Sequence, residues 1–273
     1  MSGMQTQRRK SKKVRFDHCA SSTVRASYLS LLRSPSPSSY TRPVKTIECG
    51  PGDARSVYAE TGFDRRYWAS VRGARGLCRL TSRVDVPESI RIPTDRPLIV
   101  AANHSSLFDL IAALVFLGHF GINARLAVNS RFFKNPVGRG FLGGIGCVPF
   151  SRDDRETAEQ AMVDALLANQ VIALMPEGRI TRLEDQVSGV GPARPGISRI
   201  ALRAGAAILP VGFAQSDEAW SPGTPLPKPR LGRHHVIARA GDLLVLDSDD
   251  HDANSAAIIA AIGNVVMSAR AIA

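Results

Sequence analysis

The feature that most constrains this chain is an alternation of short apolar runs with longer helical patterns, which begins at Pro97. Runs of strand length lie at residues 98–102, 124–128, 147–150, 171–175, 207–213 and 234–240. Helical spacing of apolar residues predicts helices over 107–120, 155–168, 196–203 and 252–271, and a short helix or turn over 136–143. Continuous, β-branched-rich runs are typical of strands buried on both faces. The sequence therefore predicts an α/β fold with a mostly parallel central sheet and helices on both faces.

An N-terminal extension, part helical and part disordered, precedes this alternation. Residues 1–56 contain a basic cluster from Arg8 to Lys13 and a Ser/Pro run from Ser34 to Ser39, with little periodic apolar content. Such a segment buries too little apolar surface to offset its ordering entropy, so we expect a disordered basic tail. Residues 57–96 are predicted to form a lead-in with a basic amphipathic helix, and residues 97–273 the main domain.

The net charge of +11 lies largely in the tail, because residues 1–60 hold 11 Lys and Arg against 4 Asp and Glu. A basic tail can contact nucleic acid or anionic lipid. The chain shows neither a basic reader helix nor an aromatic stacking platform, so we expect no specific nucleic-acid partner. The Arg- and Ser-rich start of the chain also fits an organellar transit peptide.

The segment from residue 63 to residue 80 has one apolar helical face, formed by Phe63, Tyr67, Val71, Ala74 and Leu77. The rest of its surface is rich in arginine. A helix of this kind either lies on a membrane surface or packs as an ordinary first helix on the core, and the periodicity fits both. No apolar stretch approaches the ~18–20 residues that span a bilayer. The four cysteines show no metal-binding or disulfide spacing, which favours a reducing compartment.

The first polar cluster, Asn103–Asp109, follows the strand at 98–102, where parallel sheets place their functional sites. His104 is the side chain best matched to proton transfer near neutral pH, and a nearby carboxylate can fix its tautomer. On one continuous helix, five residues would set His104 and Asp109 on different faces. We therefore expect His104 on the turn before the helix and Asp109 in the first turns, reaching back. Ser105 or Ser106 is a candidate cap for that helix.

Three further clusters end later strands. After the run at 171–175 come Pro176, Glu177, Gly178 and Arg179, followed by Arg182. The glycine lets the backbone approach a ligand, and the arginines suit a phosphate. The run at 147–150 ends in Ser151 and Arg152. Pro210 lies inside the apolar run at 207–213, which indicates a sheet edge, a bulge or a shaped pocket wall.

Taken together, the four clusters resemble the four sequence blocks of the glycerolipid acyltransferases, typified by 1-acylglycerol-3-phosphate acyltransferases. The N-H-x4-D block is met by Asn103, His104 and Asp109, and the P-E-G block by residues 176–178. The second block corresponds to residues 148–152, and the fourth to residues 209–212. The resemblance covers about residues 60–245 and makes residues 97–273 an acyltransferase catalytic domain.

This resemblance implies acyl transfer from acyl-CoA or acyl-carrier protein to the hydroxyl of a lysophospholipid, most simply 1-acylglycerol 3-phosphate. It implies His104 as general base, Asp109 as its partner, and no metal or other cofactor. The residues it assigns to substrate binding are Asn103, Arg152, Glu177, Gly178, Arg179 and Pro210. Without a spanning segment, such an enzyme must meet its lipid at an interface, so we expect it in the cytoplasm, held peripherally on the inner face of the cell membrane. The basic tail and the helix at 63–80 are the expected contacts with anionic lipid.

One block departs from the family pattern. The commoner form continues P-E-G with T-R-S, whereas here Arg179, Ile180 and Thr181 follow the glycine. This variant resembles branches that use other lysophospholipids, such as lysophosphatidylethanolamine. Glycerol 3-phosphate and other lysolipids therefore stay open as acceptors, and so does a non-catalytic lipid-binding accessory protein.

Overall fold

The computed structural model describes residues 44–151, 153–221, 224 and 234–272 of the chain. Its strands are β1 (Thr46–Cys49), β2 (Ser82–Asp85), β3 (Ile90–Pro93), β4 (Leu98–Ala102), β5 (Ala124–Asn129), β6 (Val148–Phe150), β7 (Val171–Leu174), β8 (Ala207–Ala214), β9 (His234–Ala240) and β10 (Leu244–Val245). Its helices are α1 (Asp64–Thr81), α2 (Phe108–Phe120), α3 (Pro136–Gly144), α4 (Arg155–Leu167), α5 (Gly196–Ala204), α6 (Ser216–Ala219) and α7 (His251–Ile272). Short 3-10 helices lie at Asp53–Ser56, Ser130–Phe133 and Leu183–Asp185.

The main sheet has the strand order β2-β9-β8-β4-β7-β5-β6. The five strands from β8 to β6 are mutually parallel, whereas β9 runs antiparallel to β8 and parallel to β2. The predicted α/β class with a mostly parallel sheet is therefore confirmed. The strands and helices predicted from residue 97 onward agree with the observed bounds to within one or two residues.

The sheet separates two apolar layers. One layer packs α1, α2 and α3 against one face of the sheet, and the other packs α4, α5 and α7 against the opposite face. Strands β4 and β8 are buried along their whole length, as their continuous apolar runs predicted. Helices on both faces cover these strands, which is why their sequences lack polar alternation.

The ordered structure starts before residue 57, which corrects the predicted boundary of the tail. Strand β1 pairs antiparallel with β3, the side chain of Cys49 is fully buried, and the Gly52 N–H donates to the His119 carbonyl at 2.8 Å. These partners lie more than 40 residues away in the sequence, so local composition could not indicate them. Residues 1–43 lie outside the described part of the chain.

The lead-in at 57–96 contributes to the main sheet. Its strand β2 pairs with β9, so the boundary expected at residue 97 does not separate two folding units here. Helix α1 confirms the helix expected over 63–80. Tyr67, Val71, Ala74 and Cys78 are buried against the core, which is the packing expected of an ordinary first helix.

Helix α7 is long and apolar enough to cross a membrane, with a mean hydropathy of 1.6. The expectation that no segment has this composition is therefore corrected. Length and apolarity alone are weak evidence for a span, because the core helix of a globular domain has the same composition. In the structure Ile258, Ile262 and Val266 are fully buried in the second apolar layer, so one face of α7 covers the sheet.

Candidate active site

The site forms where β4 and β7, neighbouring parallel strands, reach their carboxyl ends. His104 lies on the turn after β4, and Asp109 lies in the first turn of α2. His104 Nδ1 and Asp109 Oδ2 are 3.0 Å apart. Asp109 is fully buried, whereas the His104 side chain keeps 20% of its exposure. The predicted arrangement, with His104 on the turn and Asp109 reaching back, is therefore the one observed.

The backbone of the turn holds the Asp109 carboxylate in place. The N–H groups of Ser105 and Ser106 each donate to Asp109 Oδ2 at 2.7 Å. A carboxylate that accepts backbone N–H groups at the start of a helix is also stabilised by the helix dipole. A carboxylate in this position favours the tautomer of His104 that carries its proton on Nδ1, which leaves Nε2 as the nitrogen that can act as a base.

The hydroxyl groups of the two serines fasten the turn to the rest of the fold. The Ser106 hydroxyl accepts from the Phe108 N–H at 3.0 Å and donates to the Trp220 carbonyl. The N-cap residue of α2 is Leu107, so neither Ser105 nor Ser106 holds the predicted capping position. The Ser105 hydroxyl lies 3.1 Å from that of Ser216, the first residue of α6. The contribution of α6 had no signal in the sequence, because it depends on residues more than 100 positions away.

The side-chain amide of Asn103 makes two hydrogen bonds inside the protein. Its Nδ2 donates to the Phe213 carbonyl at 3.0 Å, and its Oδ1 accepts from the Phe213 N–H at 2.7 Å. The side chain is buried and ties the turn to β8 in the manner of a backbone ladder. In this geometry Asn103 positions the residue that follows it.

Glu177 likewise serves the turn that carries His104. Its Oε1 accepts from the backbone N–H of His104 at 2.8 Å, and its Oε2 accepts from the Thr181 hydroxyl. The Thr181 N–H donates to the His104 carbonyl at 2.8 Å. The loop after β7 therefore holds both backbone polar groups of His104, and sequence analysis did not single out Thr181.

The environment of Glu177 is nearly closed to water. Burial raises the pKa of its carboxyl group, while the hydrogen bonds from Thr181, His104 and Gly191 act in the opposite direction. Gly191 lies so close that a Cβ there would be 2.7 Å from Glu177 Oε2. A side chain at residue 191 would therefore displace the carboxylate that positions His104.

Gly178 adopts a left-handed backbone conformation, with φ of 65°, directly beside Arg194. The Arg194 Nε donates to the Glu177 carbonyl at 3.2 Å, and the Arg194 N–H donates to the Pro176 carbonyl at 2.9 Å. A Cβ at residue 178 would be 2.6 Å from the Arg194 Nε. Both the conformation and the close approach require glycine here.

The remaining predicted site residues have different positions. Arg179 is exposed on the loop that holds His104, so its guanidinium is available to a ligand there. Arg152 lies outside the described residues. Pro210 is buried in β8 in register with Ala101, opposite the break between β9 and β10. Between the pairs Val211–Ala240 and Ile208–Leu244, two residues of β8 face three residues of the opposite segment. This extra residue is a bulge, so the bulge alternative is the one observed.

An apolar groove of about 750 Å³ lies between α1, α2 and α3. Its lining includes Leu110, Ile111 and Leu114, which begin one residue after Asp109, and Leu77 of α1. Arg66 and Ser70 add a charged and a polar group. A groove of this size and character accommodates a flexible hydrocarbon chain, and its lining on α2 begins at the residue after Asp109.

The described cysteines take no part in this site. Cys49, Cys78 and Cys147 are free and buried, and burial raises the pKa of each thiol, to about 12 for Cys147. A protonated, buried thiol is a poor nucleophile. Among the described residues, His104 with its buried carboxylate partner is therefore the group best placed for acid–base chemistry.

Comparison with known proteins agrees with this geometry. No curated protein matches the sequence significantly. Among solved structures, the fold is similar to the crystal structure of the 1-acyl-sn-glycerophosphate (LPA) acyltransferase PlsC from Thermotoga maritima, with a TM-score of 0.53 and 22% identity. That match covers 77% of this chain and 79% of the other. The Acyltransferase family model matches residues 83–214, which contain every described residue of the predicted site. Residues 83–214, which carry the site, therefore belong to the acyltransferase family, as the resemblance to the glycerolipid acyltransferases predicted.

Proposed function

We propose that this acyltransferase moves a fatty acyl group from a thioester donor to the free hydroxyl of a lysophospholipid, with 1-acylglycerol 3-phosphate as the preferred acceptor. The observation that carries the proposal is the His104–Asp109 pair at the start of α2, with an apolar groove along the same helix. The pair supplies a base, and the groove supplies a place for a hydrocarbon chain.

In the proposed reaction, His104 Nε2 removes the proton from the acceptor hydroxyl as its oxygen attacks the thioester carbonyl. The buried Asp109 carboxylate stabilises the imidazolium that forms. When the tetrahedral intermediate collapses, the carbon–sulfur bond breaks and the thiolate takes the proton back from His104. The donor, acyl-CoA or acyl-carrier protein, is a co-substrate, and the residues described here perform the proton transfers.

Basic residues near the turn suit an acceptor phosphate. Arg179 is exposed two residues after Glu177, whose carboxylate is bound to the backbone of His104. The family resemblance adds Arg152 to this role. Guanidinium groups bind phosphate oxygens strongly and with fixed geometry, so we assign the headgroup to this side of His104 and the acyl chain to the groove.

The test is transfer of a labelled acyl group from acyl-CoA and from acyl-carrier protein to a panel of acceptors, with His104→Ala beside the wild type. A positioned general base contributes about 10²–10⁴-fold in rate, so we expect turnover to fall by at least about 100-fold. His235→Ala removes an exposed histidine from β9 and is the matched control, with unchanged turnover expected.

The panel contains 1-acylglycerol 3-phosphate, glycerol 3-phosphate and lysophosphatidylethanolamine. Preference for either of the last two would change the acceptor and leave the proposed chemistry intact. Near-normal turnover by His104→Ala would refute the role of His104. Absence of transfer by the wild type to every acceptor would favour a non-catalytic lipid-binding protein.

A further inference from the structure

Three large apolar side chains are exposed close together on the 3-10 helix Ser130–Phe133 and on α3. Phe132 keeps 41% of its exposure, Val137 79% and Phe141 52%. Val137 and Phe141 are four residues apart on α3, so they lie on the same side of that helix. We refer to Phe132, Val137 and Phe141 as the α3 patch. Exposed apolar residues that cluster in this way mark an interaction surface more often than isolated ones do.

Exposed cations flank the α3 patch, and the same stretch of chain contains no acidic residues. Arg131, Lys134 and Arg139 are all exposed, and the sequence from residue 110 to residue 152 contains no Asp or Glu. In the described part of the chain, the ion pairs are all formed by other residues. The Arg131 guanidinium lies 4.7 Å from the centroid of the Phe132 ring, so charge and apolar surface are presented side by side.

The α3 patch is continuous with the apolar groove. Phe141 belongs to the patch and also lines the groove, together with Gly140 and Gly144 of the same helix. Arg66 of α1 lines the groove as well and approaches Gly144, which adds a further cation to this side of the molecule. A chain that leaves a surface in contact with the patch therefore reaches the groove without crossing polar protein surface.

We propose that the α3 patch is the surface by which this protein docks on an anionic lipid bilayer. Phe132 and Val137 enter the boundary between headgroups and acyl chains, Arg131 and Lys134 contact anionic headgroups, and the groove opens toward the bilayer. Exposed apolar side chains next to cations favour a lipid bilayer over an acidic protein as the partner. An acidic protein surface would engage the cations and leave the apolar side chains without a partner. The inference rests on the proposed lipid substrate for its purpose, but docking itself requires no turnover.

The test is co-sedimentation of the full chain with vesicles of phosphatidylcholine alone or mixed with phosphatidylglycerol. We expect binding to the mixed vesicles that weakens as salt is raised. The double variant Phe132→Ser/Val137→Ser should bind mixed vesicles about tenfold or more weakly, because it removes the apolar side chains that enter the bilayer. Arg131→Gln/Lys134→Gln should bind about 30-fold more weakly, since each cation near an anionic surface contributes about fivefold.

Matched controls come from α4, on the opposite face of the sheet. Leu167→Ser removes an exposed apolar residue, and Arg155→Gln removes an exposed cation. Both should bind within about twofold of the wild type. Equal losses in the controls and in the patch variants would overturn the proposal, and so would unchanged binding of both patch variants, which would assign docking to another part of the chain. Loss with the charge variant only would overturn the insertion of Phe132 and Val137 into the bilayer, because binding would then be electrostatic alone.

Failure of docking and failure of the proposed reaction give different results. With a soluble short-chain acceptor, Phe132→Ser/Val137→Ser should retain wild-type transfer, whereas with acceptor embedded in vesicles its rate should fall along with binding. Vesicle binding without any transfer would leave the docking surface in place and refute the proposed reaction. Wild-type transfer from vesicles by the patch variants would refute the docking surface and retain the reaction.

Discussion

The turn from Asn103 to Asp109 shows how single residues divide the work of one proton transfer. Three donors converge on Asp109 Oδ2, and the backbone of His104 is held at both its N–H and its carbonyl by Glu177 and Thr181. Asn103, which directly precedes His104, is hydrogen-bonded to β8. His104 therefore has little rotational freedom even before a substrate binds, and a base that is already oriented loses less entropy in the transition state.

The buried carboxyl group of Glu177 predicts a specific dependence of stability on pH. Because burial raises its pKa in the folded protein, the unfolded chain releases this proton at lower pH than the folded protein does. The free energy of unfolding should then fall as pH rises from the ordinary glutamate pKa through the raised one, by up to about 1.4 kcal/mol per pH unit. Glu177→Gln should lose this component, and denaturant unfolding of both proteins across that range measures it.

Glu88→Gln is the matched control for this prediction. Glu88 is exposed, so its carboxylate is hydrated in the folded and in the unfolded chain, and the variant should follow the pH dependence of the wild type. Parallel stability curves for the wild type and Glu177→Gln would contradict the assignment of a raised pKa to the buried carboxyl group.

At the scale of elements, a glycine of α2 and a glycine of α1 differ in the space around them. The first is tightly packed at the contact between the two helices, and the second has open space beside it. A Cβ at Gly118 of α2 would be 2.3 Å from the Val71 Cγ1, whereas a Cβ at Gly76 of α1 would meet no atom within 4 Å. Gly76→Ala should therefore raise the free energy of unfolding by about 0.5–1 kcal/mol, since alanine favours a helix interior over glycine. Gly118→Ala should lower it by about 1–3 kcal/mol through overpacking.

Both variants replace glycine with alanine, and chemical denaturation measures the change in the free energy of unfolding for each. Gly76 lies outside the groove lining, so its replacement should leave acyl transfer unchanged. Stabilisation by Gly118→Ala would contradict the close packing of α1 on α2. Destabilisation by Gly76→Ala would show that this part of α1 is not a regular exposed helix.

The elements that sequence analysis predicted well share a physical property. Strands such as β4 and β8 are buried on both faces, so burial alone makes them continuous apolar runs. Strands β1, β2 and β3 were missed because each has four residues and includes exposed or charged positions, as in Arg83 and Arg91. Their pairing with distant partners, and not their local pattern, determines that they are strands.

The site shows the same division between local and distant information. The reach of Asp109 to His104 followed from helix geometry over five residues, and the sequence predicted it correctly. The role of Glu177 was predicted as substrate contact, but its carboxylate is bound to a backbone group 73 residues earlier in the chain. A contact of that kind is set by the neighbouring positions of β4 and β7 in the sheet, which spacing alone did not reveal.

At the scale of the whole molecule, the question is whether the fold needs the 22 residues of α7. A membrane anchor would be dispensable for folding, whereas a helix that covers the sheet would not. Ile258, Ile262 and Val266 are fully buried against the second apolar layer, and removal of α7 would expose that layer to water. We therefore expect a chain ending at Asp250 to lose cooperative unfolding, because several large apolar side chains, each worth about 1.5–3 kcal/mol when buried, would lose their cover.

The measurement is thermal unfolding of the truncated chain, monitored by circular dichroism, beside the variant Met267→Ser. Met267 is 48% exposed on the outer face of α7, so its replacement makes the helix less apolar and leaves the buried face intact. We expect Met267→Ser to unfold like the wild type, and the truncated chain to show no cooperative transition. A truncated chain that unfolds cooperatively and still transfers acyl groups would mean that α7 is separable from the fold. The vesicle binding of that chain would then test α7 as an anchor, because a bilayer would be the remaining partner for an apolar helix that the sheet does not need.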